Sequence, residues 1–556
     1  MRRFPACLPV LVLASSQLAV AALSADAPAG ATPPQPAATP GGLPASELPP
    51  AERDGASRVG PMYVQRVLIT GNIAIASKRL QTAVAPYIHR QLDATLIEEL
   101  RALLGRQYTS RGYINSSVVL DSAPPAGDGV LHFKVIEGRI TNIRVHGLKR
   151  LRPSYVIERL LPNSQEIFNA NVFRDRFQRL LDDPLFARLE PRFVPGDQPE
   201  EADIELEAQR SRPYALSVAL NNYRPPAIGE KGYDVAGLLR DLTGFGDTLE
   251  ADIDGPLRGG PINYSAGWQI PLGRYLTQLS LGSLFSNSII SEEPLEPTDI
   301  RSQIERQELK LTQPLWAAHA QQLNVSASVA YEREGISLLG APSLPALLEV
   351  VPGETRALSL RLAPEYSYRW EHQLLALGLT LLHADLLDQP PTAFTSLQPD
   401  PHYWVSSAQQ HYVWDLASAP FEVETHATAQ WTGARISDLH AQPLGGVASV
   451  RGFREDELLL SNARNLNLDL RWLALTHASG ARPVLTCGTF FDWASGYDVG
   501  EPKTTLSSTG LTLRAKWSHL QADLALGIHL IHPAFVDQER GSWQDHGIHA
   551  QIAANL

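Results

Sequence analysis

Residues 465–472 read Asn465-Leu466-Asn467-Leu468-Asp469-Leu470-Arg471-Trp472. Polar and apolar side chains alternate without a break. In an extended strand successive side chains point to opposite faces, so Leu466, Leu468, Leu470 and Trp472 share one face and Asn465, Asn467, Asp469 and Arg471 the other. The same period runs outward in both directions. In Thr248–Asp254, Leu249, Ala251 and Ile253 oppose Thr248, Glu250, Asp252 and Asp254. In 323–332, Leu323, Val325, Ala327, Val329 and Tyr331 oppose Asn324, Ser326, Ser328 and Glu332. In 548–556, Ile548, Ala550, Ile552, Ala554 and Leu556 oppose His549, Gln551 and Asn555. From Pro213 onward this alternation replaces helical periodicity altogether.

Alternation alone also suits a soluble sandwich. Two further features select a membrane barrel. Sixteen strands can be placed, starting near 213, 233, 246, 262, 275, 305, 321, 355, 371, 402, 421, 464, 483, 505, 518 and 545, and an even count suits a closed single-chain barrel. The gaps also alternate: short turns such as 271–274 on one side, long segments rich in Pro, Gly and charge on the other. Outer-membrane barrels have short periplasmic turns and long external loops. A lipid solvent demands that every backbone group be paired internally, which a closed barrel achieves without an edge. The fold class read here is β-dominated: a 16-stranded antiparallel transmembrane β-barrel over 211–556, preceded by smaller α+β domains.

Those smaller domains announce themselves as a repeat. Val64-x-x-Val67-x-Ile69-x-Gly71 returns as Ile140-x-x-Ile143-x-Val145-x-Gly147. Each copy is an alternating strand ended by a glycine. Helical patterning follows: Leu92 to Leu104, with Leu96, Leu100 and Leu103/Leu104 on one face, and then Val156/Leu160 and Phe173/Phe177/Leu180/Leu181 in the second copy. Each copy closes with strands, at 116–121 and 130–137, then 189–194 and 202–208. The order β-α-α-β-β therefore occurs twice, over 62–137 and 138–210. Ahead of it, Arg2 and Arg3, an apolar run from Pro9 to Val20 and Ala19-Val20-Ala21 form a signal peptide over 1–25. Residues 26–61 form a proline-rich linker.

Composition removes several function classes. Formal charge is −12, a poor footprint for nucleic acid. The two cysteines are Cys7, inside the leader and placed ahead of its apolar core rather than at a lipidation position, and Cys487. That leaves neither a disulfide nor a cysteine metal cluster in the exported chain. No run of ~18 apolar residues offers a transmembrane helix beyond the leader. The sequence lacks G-x-x-x-x-G-K-[ST], G-x-S-x-G and H-E-x-x-H. Gly244-Phe245-Gly246 falls in a hairpin turn with no helix after it, and His529 and His532 sit in a strand-and-loop context, read as lumen and loop residues. No catalytic residue, cofactor-binding residue, metal ligand or cofactor is expected, and the chain is read as a non-enzyme.

One motif remains. Leu444-Gly-Gly-Val-Ala-Ser-Val-Arg-Gly-Phe453 lies in the long segment between the eleventh and twelfth strands, which is the sixth long loop, about 433–463. Val450-Arg451-Gly452-Phe453 places one guanidinium between apolar neighbours. Downstream, Phe490-Phe491-Asp492 lies on an alternating strand where Thr486, Gly488, Phe490 and Asp492 share a face opposite Leu485, Cys487 and Phe491.

With these residues in view the chain resembles the outer-membrane transporters of two-partner secretion, the TpsB or haemolysin secretion/activation proteins of ShlB, FhaC and HecB type, within the barrel-insertase superfamily. The resemblance covers nearly the whole exported chain. It identifies the repeat as two periplasmic POTRA domains and 211–556 as the barrel. It implies that the sixth external loop folds back into the lumen with V-R-G-F at its tip, preceded by Gly445, Gly446 and Ser449. It implies an ion pair from Arg451 to Asp492 of the second family motif, F-x-D-x-G. Here Phe490 and Asp492 match, but Ala494 takes the fifth place and the glycine comes at Gly496. The proline-rich 26–61 stretch disfavours a long N-terminal plug helix, and the chain ends in Leu556 where the superfamily usually ends in an aromatic residue.

The function implied is that of a Gram-negative outer-membrane translocator that secretes, and in some members activates, a large haemolysin- or adhesin-type partner. The POTRA domains would capture that partner's N-terminal secretion domain by adding a strand to an exposed edge, with Leu100, Leu103 and Leu104 as groove residues if they are not core. Further expected partners are outer-membrane lipid and the barrel-assembly machinery that inserts the chain; the expected state is a monomer. Two other readings are a barrel insertase or autotransporter-assembly factor, which more POTRA units would favour, and a porin or ligand-gated receptor, which would lack the repeat.

Overall fold

The computed structural model describes residues 62–122, 129–163, 165–198, 201–293, 296–318, 320–337, 353–388, 399–416, 420–475, 484–533 and 541–556. The expected signal peptide and linker lie outside the described residues. The rest forms two compact units, one running to Ser211 and one spanning Arg212–Leu556.

The first unit contains two copies of one design. The first copy holds β1 (Met62–Val64), β2 (Arg66–Thr70), α1 (Ser77–Val84), β3 (Arg90–Leu92), α2 (Ala94–Thr109), β4 (Ser117–Ser122) and β5 (Val130–Ile136). The second holds β6 (Arg139–His146), α3 (Pro153–Leu160), α4 (Ala170–Leu181), β7 (Phe186–Pro195) and β8 (Glu201–Arg210). The sheets run β2-β5-β4 and β6-β8-β7, each with one parallel and one antiparallel pair. The repeat's terminal glycines have one physical reason. Gly71 (φ 79°) and Gly147 (φ 82°) take the left-handed region, and a Cβ on either would fall on a carbonyl oxygen of the central strand, that of Val135 or of Ala208.

The helices depart from expectation in instructive ways. Leu92 belongs to β3, and α2 begins only after Asp93, whose side chain accepts the Leu96 amide at 2.8 Å. The buried stripe is Ile97, Leu100, Leu104 and Tyr108, so α2 runs a turn past Leu104 to bring Tyr108 into the core. Leu100 and Leu104 are fully enclosed, so of the two roles open to them they take the core and not the groove, and Leu103 packs half-buried beside them. Glu137 braces this end: its Oε1 accepts the Ile73 and Ala74 amides at 2.8 Å and the Tyr108 hydroxyl at 2.9 Å. Burial, with that carboxylate alongside, holds the Tyr108 phenol well above its usual pKa. Helix α1 buries only Leu80 and Val84 and has no side-chain cap to mark its start. The β1–β3 ribbon is an addition to the expected order. In the second copy Leu180 is buried while Leu181 turns outward, and Phe173 packs with Phe168 and Phe193 at 5.6–5.8 Å between ring centres.

The second unit is a closed antiparallel barrel. Its first eleven strands are β9 (Tyr214–Asn221), β10 (Gly232–Arg240), β11 (Thr248–Pro256), β12 (Asn263–Leu272), β13 (Thr277–Ile289), β14 (Arg301–Ala317), β15 (Gln321–Ser337), β16 (Gly353–Arg369), β17 (Gln373–Asp388), β18 (His402–Leu416) and β19 (Phe421–Trp431). A small ribbon of β20 (Gln442–Leu444) and β21 (Leu458–Leu460) interrupts the sequence. The last five strands are β22 (Asn462–Leu475), β23 (Val484–Tyr497), β24 (Thr504–Trp517), β25 (Leu520–Ile531) and β26 (Ile548–Asn555), which pairs back onto β9. There are sixteen barrel strands, and each begins within four residues of its expected start. The turn expected at 271–274 lies at 273–276, because Pro271 and Leu272 stay paired in β12.

The faces are inverted relative to a soluble protein. On β22, Leu468, Leu470 and Trp472 are 39, 44 and 48 % exposed, while Asn465, Asn467 and Asp469 are 4, 7 and 8 % exposed. An apolar outer surface around a polar interior is stable only when lipid is the outer solvent. Eight of the ten tryptophans are among the exposed residues. Trp316, Trp370, Trp414 and Trp517 lie toward the short-turn end, and Trp404 and Trp431 toward the long-loop end. Two aromatic belts of this kind mark the two membrane interfaces.

Candidate functional site

The segment between β19 and β22, residues 432–461, is the sixth connection at the long-loop end. Its first leg is held by His440, whose Nδ1 lies 2.7 Å from the Tyr403 hydroxyl on β18 and whose Nε2 lies 2.9 Å from Glu332 on β15. Its tip reaches β22 to β26, on the other side of the ring. Contacts with both walls require the loop to cross the lumen. The loop also carries its own apolar nucleus: Leu444, Val450, Phe453, Leu458 and Leu460 pack with Ala463, Ala494 and Leu506 of the wall.

The wall under the tip is ordered by register. Antiparallel pairing aligns Asn467, Asp492, Ser508 and His529 in one row across β22 to β25. It aligns Asp469, Phe490, Gly510 and Gly527 in the next. Arg451 lies across both rows. Its Nε donates to Asp492 Oδ2 at 2.8 Å and its Nη2 to Asp492 Oδ1 at 2.7 Å. Its Nη1 and Nη2 donate to Asp469 Oδ1 and Oδ2 at 2.7 and 3.0 Å. Its guanidinium sits 4.0 Å over the Phe490 ring, and the Ser508 hydroxyl donates to its carbonyl. One planar fork thus engages two carboxylates bidentately and an aromatic face, which an ammonium could not do. Asp492 is completely enclosed and also accepts the Arg451 amide (2.9 Å) and Asn467 Nδ2 (2.7 Å). The Phe490 ring lies over Gly510, where any Cβ would strike it.

Around the tip, Gly452 (φ 92°) and Phe453 rest on β25 and β26, described below. Arg454 spans outward to Asp545 (Nη2–Oδ2 2.8 Å) and Glu292 (Nη1–Oε2 2.9 Å), between the eighth and third connections. Gly445 and Gly446 form the turn before the tip, with the Gly445 amide donating to Ser449 Oγ at 2.9 Å and Val447 to Glu455 at 2.7 Å. The strand β23 continues unbroken past Ala494, whose methyl fills the apolar nucleus, so the displaced family glycine introduces no turn here.

Arg451, Phe490 and Asp492, named from the sequence, therefore meet directly, and Val450 and Phe453 are buried beside them. Missed were Asp469, Asn467, Ser508, Gly510, Gly527 and the two histidines at 529 and 549. Asp469 and Asn467 were legible as polar-face residues, but only the pairing register shows that they flank Asp492. The lumen beyond is lined by both signs of charge, as in Arg306–Glu332 (3.3 Å) and Arg471–Glu422 (3.1 Å). Among the described residues no group of His, Cys, Asp and Glu is arranged to hold a metal ion.

An inverted sixteen-stranded barrel, a polar lumen crossed by an arginine-tipped loop and N-terminal POTRA-type folding define an outer-membrane protein transporter. Residues 200–513 match the family of haemolysin secretion/activation proteins ShlB/FhaC/HecB, and residues 62–138 match the POTRA domain of ShlB type. The chain belongs to that family of two-partner secretion transporters: it sits in the outer membrane with its POTRA fold in the periplasm, and it secretes a partner protein. This is the transporter reading rather than the insertase or porin alternatives. The chain is 24 % identical over 515 residues to the outer membrane transporter CdiB of Escherichia coli O6:K15:H31 (strain 536 / UPEC), covering 87 % of this chain and 82 % of that one. It is 22 % identical over 516 residues to CdiB of Dickeya dadantii (strain 3937), covering 88 % and 87 %. Among solved structures, CdiB from Escherichia coli superposes with a TM-score of 0.71 at 19 % identity, covering 89 % of this chain and 91 % of that one. CdiB from Acinetobacter baumannii gives a TM-score of 0.62 at 14 % identity, covering 89 % and 90 %.

Proposed function

We propose that the exported partner is a large protein of haemolysin, adhesin or contact-toxin type, recognised through its N-terminal secretion domain and passed outward as an extended chain. The observation that carries this reading is the Arg451 site. A loop that crosses a polar lumen with its tip tied to the wall by a multiply bonded arginine is a plug that can be withdrawn as a unit. Withdrawal would leave a passage lined by charge of both signs, with little apolar surface to trap an unfolded chain. In the first unit, β4 and β7 each pair on one side only, leaving edges for strand addition by the cargo. The chain itself has no assigned catalytic chemistry; folding of the cargo outside the cell supplies the directional bias. Its own insertion falls to the barrel-assembly machinery, and a closed barrel without a free edge suits a monomer.

The test is deletion of this chain, with the culture medium assayed for a large protein encoded beside it. Its disappearance from the medium supports the reading. Continued export with loss of other outer-membrane barrels instead would return the insertase reading.

A further inference from the structure

The loop tip is held on a second side that Arg451 does not touch. His529 Nε2 lies 2.7 Å from the Gly452 carbonyl oxygen. A carbonyl can only accept, so His529 carries its proton on Nε2. The Gly452 amide donates to His549 Nε2 at 3.2 Å, so that nitrogen must be bare. Two histidines on neighbouring strands therefore read the two backbone groups of one residue with opposite polarity. The Phe453 ring stacks on His529 with 4.0 Å between centres and 17° between planes. Between the histidines the seat is cut to backbone dimensions. A Cβ on Gly452 would come to 3.0 Å from Gly527 Cα, and a Cβ on Gly527 would come to 2.7 Å from Gly452 Cα. His549 is fully enclosed.

These contacts share no atom with the Asp492 and Asp469 bonds, and they belong to different strands. The carboxylates stand on β22 and β23, the histidines on β25 and β26. β26 is the strand that closes the barrel onto β9, along a seam of five paired positions. The outer end of that seam carries a further tie to the same loop. Gln544, fully enclosed, accepts the Glu455 amide at 2.7 Å and donates to the carbonyls of Asn222 and Arg224.

We infer that His529 and His549 are positioning residues forming a second latch on the sixth loop, made to backbone atoms, which fixes Gly452 to the two strands that complete the barrel. Release of the loop tip then requires the unseating of Gly452 as well as rupture of the arginine–carboxylate bonds, beside the ties that Arg454, His440 and Glu455 make elsewhere on the loop. The two latches differ in kind. One joins a guanidinium to two carboxylates, the other joins two imidazoles to the backbone of Gly452. This inference rests on the sixth loop acting as the gate.

The experiment is single-channel recording of the full-length protein in planar bilayers, with KCl as the permeating probe. Heat-modifiable migration serves as the check on folding. His529→Leu and His549→Leu are each expected to raise the frequency of large openings at least several-fold, and the double variant more. Glutamine is the conservative rescue. Its amide oxygen can accept from Gly452 at position 549 and its amide group can donate at position 529, so both Gln variants are expected near wild type. Gly527→Ala leaves both histidines in place but sets a methyl 2.7 Å from Gly452 Cα and 2.9 Å from the Arg451 carbonyl oxygen, and is expected to open like the leucine variants even if those fail to fold. Folded leucine variants and Gly527→Ala that all gate like wild type, or glutamine variants as open as leucine, overturn the second latch. If Arg451→Ala opens the channel and the histidine variants do not, the gate stands and only this inference falls. If none of them alters conductance, the gate reading itself fails.

Discussion

Arg451 meets Asp492 with three hydrogen bonds, two from the guanidinium at 2.7 and 2.8 Å and one from its own amide at 2.9 Å. Side chain and backbone of the loop tip are thus tied to one enclosed carboxylate, and the same guanidinium also binds Asp469 in the adjacent row. Removing the arginine leaves two neighbouring carboxylates without their cation. Breaking a buried pair in this way costs about 3–5 kcal/mol. Arg451→Ala is expected to give an inserted, heat-modifiable barrel that secretes at least about tenfold less cargo, and Arg451→Lys to restore little, because an ammonium lacks the fork. Cargo in the medium, normalised to transporter in the membrane, measures both.

Asp469 and Asp492 are unequal partners. Asp492 is fully enclosed and also accepts from Asn467 and the Arg451 amide, whereas Asp469 binds only the outer edge of the guanidinium among the hydrogen bonds seen here. Asp469→Asn is expected to reduce export less than Asp492→Asn. The double variant leaves the arginine uncompensated and is expected to be at least as defective as Arg451→Ala. Equal effects of the two single changes would remove the asymmetry.

At position 494 the chain carries alanine where its family motif has glycine. The methyl lies fully buried in the apolar nucleus of the loop. Ala494→Gly removes about one methyl of packing and adds backbone freedom, together costing about 1–2 kcal/mol. Restoring the family residue is therefore expected to lower the unfolding midpoint in urea rather than raise it.

Gly71 and Gly147 make a prediction in duplicate. Each has positive φ and no room for a Cβ beside a central-strand carbonyl. Alanine at either position is expected to destabilise its own copy by more than about 1 kcal/mol. Limited proteolysis of the full chain should then cut within 62–137 for Gly71→Ala and within 138–210 for Gly147→Ala, leaving the barrel intact.

The lipid face gives the last test. Leu468 is on the outer surface and central in β22. Leu468→Arg is expected to cost about 2–4 kcal/mol if it lies near the bilayer midplane, while an arginine on a lumen face is far cheaper. Thr512, which lies between the outward Leu511 and Leu513, provides the control as Thr512→Arg. Urea titration in lipid vesicles compares the two.

The alternation in 465–472 was enough to determine a strand and its two faces, because side-chain direction in a strand is a local property of the backbone. Repeated along the chain, it determined the strand number, the barrel and the position of the sixth loop. The repeated glycines marked the two N-terminal copies for an equally local reason. The helix α1 and the start of α2 were harder to read. Helix α1 has neither a side-chain cap nor a proline in its first turn to mark its start, and Leu92 reads as part of the next helix because only the Asp93 cap separates it from α2. The site divides the same way. Val450-Arg451-Gly452-Phe453 and Phe490-Phe491-Asp492 were visible as motifs, and strand parity put Asp492 inside. That Asp469 shares the guanidinium, that Gly510 makes room for Phe490, and that His529, His549 and Gly527 receive Gly452 depend on register across strands far apart in sequence. Pairing register is set by the closed ladder as a whole, so only the tertiary structure could decide which polar residues of the opening stretch face the arginine.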